Sequence, residues 1–112
     1  MPIIEHIIDA ALEKKATNVV CLDLRRLHIG IADYFIICDA DNSKQSVAIA
    51  DNIEMLLYKD LNIMPYNKEG YSNADWILLD YGDTLVHIFK KEKRYFYDLE
   101  SLWGDAEIKV HN

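Results

Sequence analysis

The sequence predicts a mixed α/β fold with α+β character: one mixed β-sheet of four to five strands flanked by helices. Three observations carry this. Apolar residues recur at helical spacing over 4–12 and again over 49–57. Short runs of β-branched and apolar residues lie between and after these stretches. The connector between the first two runs has only eight residues, Arg25 to Ala32. A parallel crossover needs about a dozen or more, so those two strands are expected to pair antiparallel.

Ile4, Ile7, Ile8, Ala11 and Leu12 form the stripe of a first helix of about three to four turns, with early acids (Glu5, Asp9) and late lysines (Lys14, Lys15) matching the helix dipole. Asn18 to Leu24 reads as a buried strand and Asp33 to Cys38 as a second. Asn42 and Gln45 have capping-box spacing. The second helix behind them carries Ile49, Ala50, Ile53, Leu56 and Leu57, with Asp51, Asn52, Glu54 and Lys59 elsewhere on the wheel, and ends near Asp60 or Leu61. Ile63 to Tyr66 reads as a short strand that Pro65 confines to an edge, and Asn67 to Asn73 as a loop. Trp76–Asp80 and Thr84–Phe89 flank Tyr81-Gly82-Asp83, a hairpin signal. A two-residue Tyr81-Gly82 loop would set Asp80 against Asp83, Leu78 against Leu85 and Trp76 against His87; a bulged loop would shift the pairing by one residue. Arg94 to Trp103 reads as a third helix closed by Gly104.

The 112 residues suit one domain over 1–112, with a core over about 3–106. Apolar residues make up 51% and charged residues 28%, which excludes disorder of the whole chain. No apolar run approaches a membrane span. A formal charge of −7 disfavours phosphate-neutralising nucleic-acid contact and favours a basic partner. Cys21 and Cys38 sit in apolar runs and read as buried free thiols. The N-terminus has early acids and no arginine, unlike a secretory signal or transit peptide, so a cytoplasmic location is expected.

Candidate chemistry is sparse. Asp39 and Asp41, with Asp23, offer carboxylates to a hard metal as in nucleotide-transferring enzymes, but no glycine-serine phosphate cradle precedes them; a turn and helix cap is the competing reading. Asp80, Asp83 and His87 cluster around the hairpin and could form an acid–base or metal site, turn chemistry, or a recognition patch with Trp76 and Tyr81. Tyr95, Phe96, Tyr97, Leu99, Leu102 and Trp103 carry too many rings for one buried stripe, so some must face solvent or a partner. The basic cluster Lys90, Lys91, Lys93 and Arg94 is short and interrupted by Glu92. P-loop, dinucleotide-binding, nucleophile-elbow, zincin and CxxC motifs are absent.

Several strings are nevertheless distinctive: Ala32 to Cys38, Gln45, Ala50-Asp51-x-Ile53-Glu54, Glu69-Gly70-Tyr71, Trp76 to Asp83, Val86 to Phe89, and Tyr97 to Ala106. With these the chain resembles the Iojap/RsfS ribosomal silencing factors from its first helix to Ala106. One departure is Asp39-Ala-Asp41, where relatives commonly carry a glycine-containing turn. The resemblance implies a nucleotidyltransferase-like core without the catalytic residues, and no cofactor or metal. It implies binding to the large ribosomal subunit through universal ribosomal protein fourteen, blocking small-subunit joining and repressing translation under nutrient limitation. It also implies a possible homodimer. The rivals are a metal-dependent nucleotidyltransferase and a generic protein-interaction module. Expected contacts are Trp76, Asp80, Tyr81, Asp83, His87, Tyr97 and Glu100, with little direct nucleic-acid contact and no membrane.

Overall fold

A computed structural model describes residues 2–28, 30–104 and 106–111; Asp105 of the family-like string lies outside them. In chain order the elements are α1 (Pro2–Glu13), β1 (Thr17–Asp23), a 3-10 turn (Arg25–Leu27), β2 (Tyr34–Ala40) and α2 (Ser43–Leu61). They continue as β3 (Asn67–Glu69), β4 (Trp76–Asp80), β5 (Thr84–Lys90), α3 (Lys91–Tyr97), α4 (Leu99–Leu102) and β6 (Glu107–Val110). The strands form one sheet in the order β3-β4-β5-β2-β1-β6. β2 and β5 run parallel, from Tyr34↔Thr84 to Ala40↔Lys90, and the other neighbours are antiparallel. The short β1–β2 connector gives the antiparallel pair that its length requires.

Alternation along the strands splits the core into two layers. Ile36, Cys38, Ile77, Leu79, Val86 and Ile88 pack with the apolar faces of α1 and α2. Phe35, Ile37, Val20, Leu22 and Phe89 form the second layer, against Leu99 and Trp103. Every residue of β2 is buried, because neighbouring strands flank it and both sheet faces are covered.

Polar groups fix the helix ends. Asn42 Oδ1 accepts from the Gln45 amide at 2.9 Å, the expected cap. Gln45 Oε1 reaches back to the Asp41 N–H at 2.7 Å, and its Nε2 donates to the carbonyls of Lys14 and Lys15 at 3.1 and 3.0 Å. One side chain thereby closes the start of α2 and the end of α1. Asn52, placed off the apolar stripe by sequence, is instead buried. The helices pack together there, and its amide donates to the Ala10 carbonyl at 2.9 Å.

Four further expectations change. The edge strand is Asn67–Glu69, not Ile63–Tyr66. Asn62 ends α2 in the left-handed region (φ 56°), and the following residues are spent leaving the helix before Tyr66 N–H meets the Asp80 carbonyl at 2.7 Å. The hairpin loop is Gly82-Asp83, so Trp76 faces Phe89, Leu78 faces His87 and Asp80 faces Leu85; neither register read from sequence holds. Gly82 takes φ +86° at the first loop position, which glycine alone adopts cheaply. The third helix is broken into α3 and α4 at Asp98, whose φ of 43° and ψ of 53° interrupt the spiral. A sixth strand, β6, lies beside β1 with all four residues exposed; its polar–apolar alternation, Glu107-Ile108-Lys109-Val110, was too short to stand out in the sequence.

Both thiols are free and buried in the helix-side layer. Burial raises the pKa of Cys21 and pushes Cys38 up to about 12, so neither is a ready thiolate. Native protein is expected to label slowly with a thiol reagent and fully after denaturation. Rapid native labelling of both would contradict these strand positions.

Candidate functional site

The side chains expected to matter fall mostly on the sheet face away from α1 and α2. On this face β4 presents Trp76 and β5 presents Leu85, His87 and Phe89. The Trp76 indole N–H donates to His87 Nδ1 at 3.0 Å. The Trp76 ring lies 4.9 Å from Phe89 and 4.6 Å from Tyr97, and His87 lies 4.6 Å from Phe35. These separations are those of offset or tilted aromatic pairs, which add to the burial term. Burial lowers the His87 pKa to about 4, and Nδ1 can accept from Trp76 only when it carries no proton. His87 is 4% exposed, so it supports Trp76 from beneath and offers no surface of its own.

A charged clamp borders this aromatic set. Arg94 donates through Nε and Nη2 to the two Glu100 carboxylate oxygens, at 3.0 and 2.9 Å. Its Nη1 donates to Asp39 Oδ1 at 2.8 Å and also to the Asn18 carbonyl. Asn18 Nδ2 in turn donates to Asp39 Oδ2 at 2.7 Å. Asn18 has φ 50°, in the irregular part of the β1–β2 pairing, which turns its carbonyl to the guanidinium. The clamp joins α3 and α4 to β1 and β2, and so sets the position of Tyr97 and Glu100.

The seven expected contacts are therefore divided. Trp76 and Tyr97 meet on the second face with His87 under Trp76, while Glu100 sits in the clamp on Arg94. Asp80 and Asp83 stand at the hairpin end, where Asp80 Oδ1 accepts the Gly82 amide at 2.8 Å and Asp83 is exposed. Tyr81 points to the other layer and is 7% exposed, so it is a core residue rather than an anchor. Odd positions of β4 face the helices, and a tyrosine one step beyond the strand continues that alternation. Tyr95 and Phe96 of α3 are 87% and 75% exposed beside Tyr97.

The carboxylates considered for a metal each hold a different cation: Asp23 binds Arg25 at 2.7 Å, Asp39 binds Arg94 and Asp41 binds Lys91 at 3.0 Å. Among the described residues no group of three potential ligands converges. Sequence reasoning missed Arg94 and Asn18 as the clamp, and missed the exposed Met55, Tyr58, Met64 and Tyr66. Met55 and Tyr58 lie off the apolar stripe of α2, and that spacing was the available signal for the last group.

Residues 2–112 match the family described as RsfS, ribosomal silencing factor during starvation. The chain is 41% identical over 99 residues to ribosomal silencing factor RsfS of Halalkalibacterium halodurans, covering 88% of this chain and 83% of that protein. It is 40% identical over 96 residues to RsfS of Bacillus subtilis, covering 86% and 80%. A crystal structure of a Chromobacterium violaceum protein superposes with a TM-score of 0.86 at 29% identity, over 92% of this chain and 84% of that one. The aromatic face and its clamp thus stand on a fold shared with these proteins, and the chain belongs to the RsfS family of ribosomal silencing factors.

Proposed function

We propose that this chain is a non-enzymatic silencing factor of the cytoplasm. It binds the large ribosomal subunit through universal ribosomal protein fourteen and blocks docking of the small subunit, with little direct nucleic-acid contact. The observation that carries this reading is the pair of exposed rings, Tyr95 and Phe96, on α3 next to Tyr97, whose own ring packs on Trp76 of the sheet. Exposed rings grouped beside a packed aromatic set are typical interface anchors. The chain's charge of −7 favours approach to a basic ribosomal protein and keeps it from phosphate-rich RNA. Trp76, Tyr97 and Glu100 supply direct contacts, Asp80 and Asp83 supply charge at the hairpin end, and His87 and Tyr81 hold the scaffold. No helix among the described residues is long and apolar enough to cross a membrane.

Sedimentation of purified subunits through sucrose tests the proposal. The protein is expected to travel with large subunits, not small ones, and to reduce formation of joined ribosomes. Rising salt is expected to weaken the association by screening. Phe96→Ala and Tyr97→Ala are expected to reduce binding at least about tenfold, the loss typical of anchor truncation. Equal binding to small subunits, or unchanged joining at saturating protein, would sink the proposal.

A further inference from the structure

A second surface stands apart from the aromatic face. A groove of about 710 Å³ runs between α2 and the segment that leads into β3. Met55 and Tyr58 form one wall, Met64 and Tyr66 the other. They are 56%, 58%, 68% and 84% exposed, so four large apolar side chains face water together. Such grouping is uncommon on a surface without a partner, and flexible methionine side chains suit a groove that must mould itself to an incoming segment.

The charge of the groove restricts the occupant. Asp51 and Glu54 line it with Lys68. Lys68 lies 3.2 Å from Glu54, so that pair is internally neutralised. The exposed Asp51 carboxylate has no ion pair among the described residues and leaves the groove net acidic. Tyr66 also links the groove to the hairpin end: a Cβ placed on Gly82 would fall 3.0 Å from its ring, and exposed Asp83 follows directly. Carboxylates therefore mark the groove and the hairpin end beside it.

We infer that this groove is a second docking site, and that its occupant is a basic amphipathic segment of a large-subunit protein. An apolar anchor of that segment lies between Tyr58 and Tyr66, and a lysine or arginine beside it pairs with Asp51. The inference rests on the proposed ribosomal role and adds a contact surface to it. Two surfaces on one partner assembly multiply their effect, since the second contact forms at high effective concentration.

The test uses the full chain and purified large subunits, with binding read by sedimentation at several salt concentrations. The double variant Met55→Ala/Tyr58→Ala is expected to bind about tenfold more weakly. Asp51→Lys is expected to weaken binding and to flatten its salt dependence. Both should unfold at the temperature of the unaltered protein, because the side chains are exposed. Unchanged binding by both variants, with the unaltered protein still bound, overturns the groove alone. Absence of binding by the unaltered protein overturns the ribosomal role and the occupant with it. If the double variant loses only concentration-dependent self-association, the occupant is a second copy of this chain and the inference fails.

Discussion

Arg94→Ala is expected to destabilise the protein by about 3–5 kcal/mol, the usual cost of removing one partner from a buried ion pair. The Arg94 and Asp39 side chains are 10% and 5% exposed. Removing the guanidinium leaves the Asp39 carboxyl inside the fold with only Asn18 to answer it. It also frees Glu100 and the Asn18 carbonyl. Neither α3 nor α4 contains a buried residue, so much of their attachment passes through this clamp and the Tyr97, Leu99 and Trp103 contacts. The segment should loosen before the sheet does. Urea unfolding measures the stability loss, and amide exchange over residues 91–102 reads the loosening directly. Arg94→Lys should recover only part, because an ammonium cannot match the planar fork on Glu100 while also reaching Asp39. The double variant Arg94→Met/Asp39→Leu should recover more than Arg94→Ala, since the one carboxylate it leaves without Arg94 is Glu100, which is 31% exposed and can be hydrated. A loss below about 0.5 kcal/mol for Arg94→Ala, within the range of ordinary surface changes, would mean that the clamp does not hold α3 and α4 in place.

Stability is expected to fall as pH drops from about 6.5 toward 4, with His87 contributing about 3 kcal/mol of that loss by pH 4. The sign follows from the folded state. Its His87 holds a proton only below about 4, whereas an ordinary imidazole takes one near 6.5. Between those values the unfolded chain binds a proton that the folded chain refuses, so acid favours unfolding. The cause is burial among Phe35, Trp76 and Phe89, with the Trp76 N–H occupying the Nδ1 lone pair. Thermal melts across this range for the unaltered chain and for His87→Gln make the measurement. The glutamine can accept from Trp76 and does not titrate, so its curve should be shallower even if its stability at neutral pH is lower. The other three histidines are common to both proteins and cancel. Parallel curves would mean that His87 is not the titrating group.

The hairpin shows where local signals stopped short. Gly82 marked the turn, but the strings either side of it allow several loops with nearly equal local energy. The loop became Gly82-Asp83 because β5 also pairs along β2, from Tyr34↔Thr84 onward, while Asp33 and Tyr34 N–H groups both donate to the Asp83 carbonyl. That parallel partner lies about fifty residues away in sequence, beyond the reach of local patterning. The break at Asp98 has the same origin. Tyr95 to Trp103 satisfy helical spacing, yet Leu99 and Trp103 must reach the second core layer while Arg94 remains on Asp39. One continuous helix is exchanged for a left-handed residue between two short ones. The strand at Glu107–Val110 alternates polar and apolar residues over only four positions, and it covers the edge of β1 while burying none of its own residues, so its pairing partner decided it.

Taken alone, the sequence determined the two long helices, the antiparallel β1–β2 pair, the Asn42 cap, the buried thiols and the family. Each rests on interactions within a few residues or on a motif string. Only the tertiary structure decided which ring or carboxylate faces outward. Tyr81 and Tyr97 look alike in a list of hairpin and helix aromatics, but one closes the helix-side core and the other stacks on Trp76 in the open. His87 looked like a contact and is a buried acceptor. Arg94 looked like part of a solvated basic run and is the ion that fastens α3 and α4 beside the aromatic face. Burial and charge partners come from chain segments up to about eighty residues apart meeting on one sheet face, and no local pattern encodes that meeting.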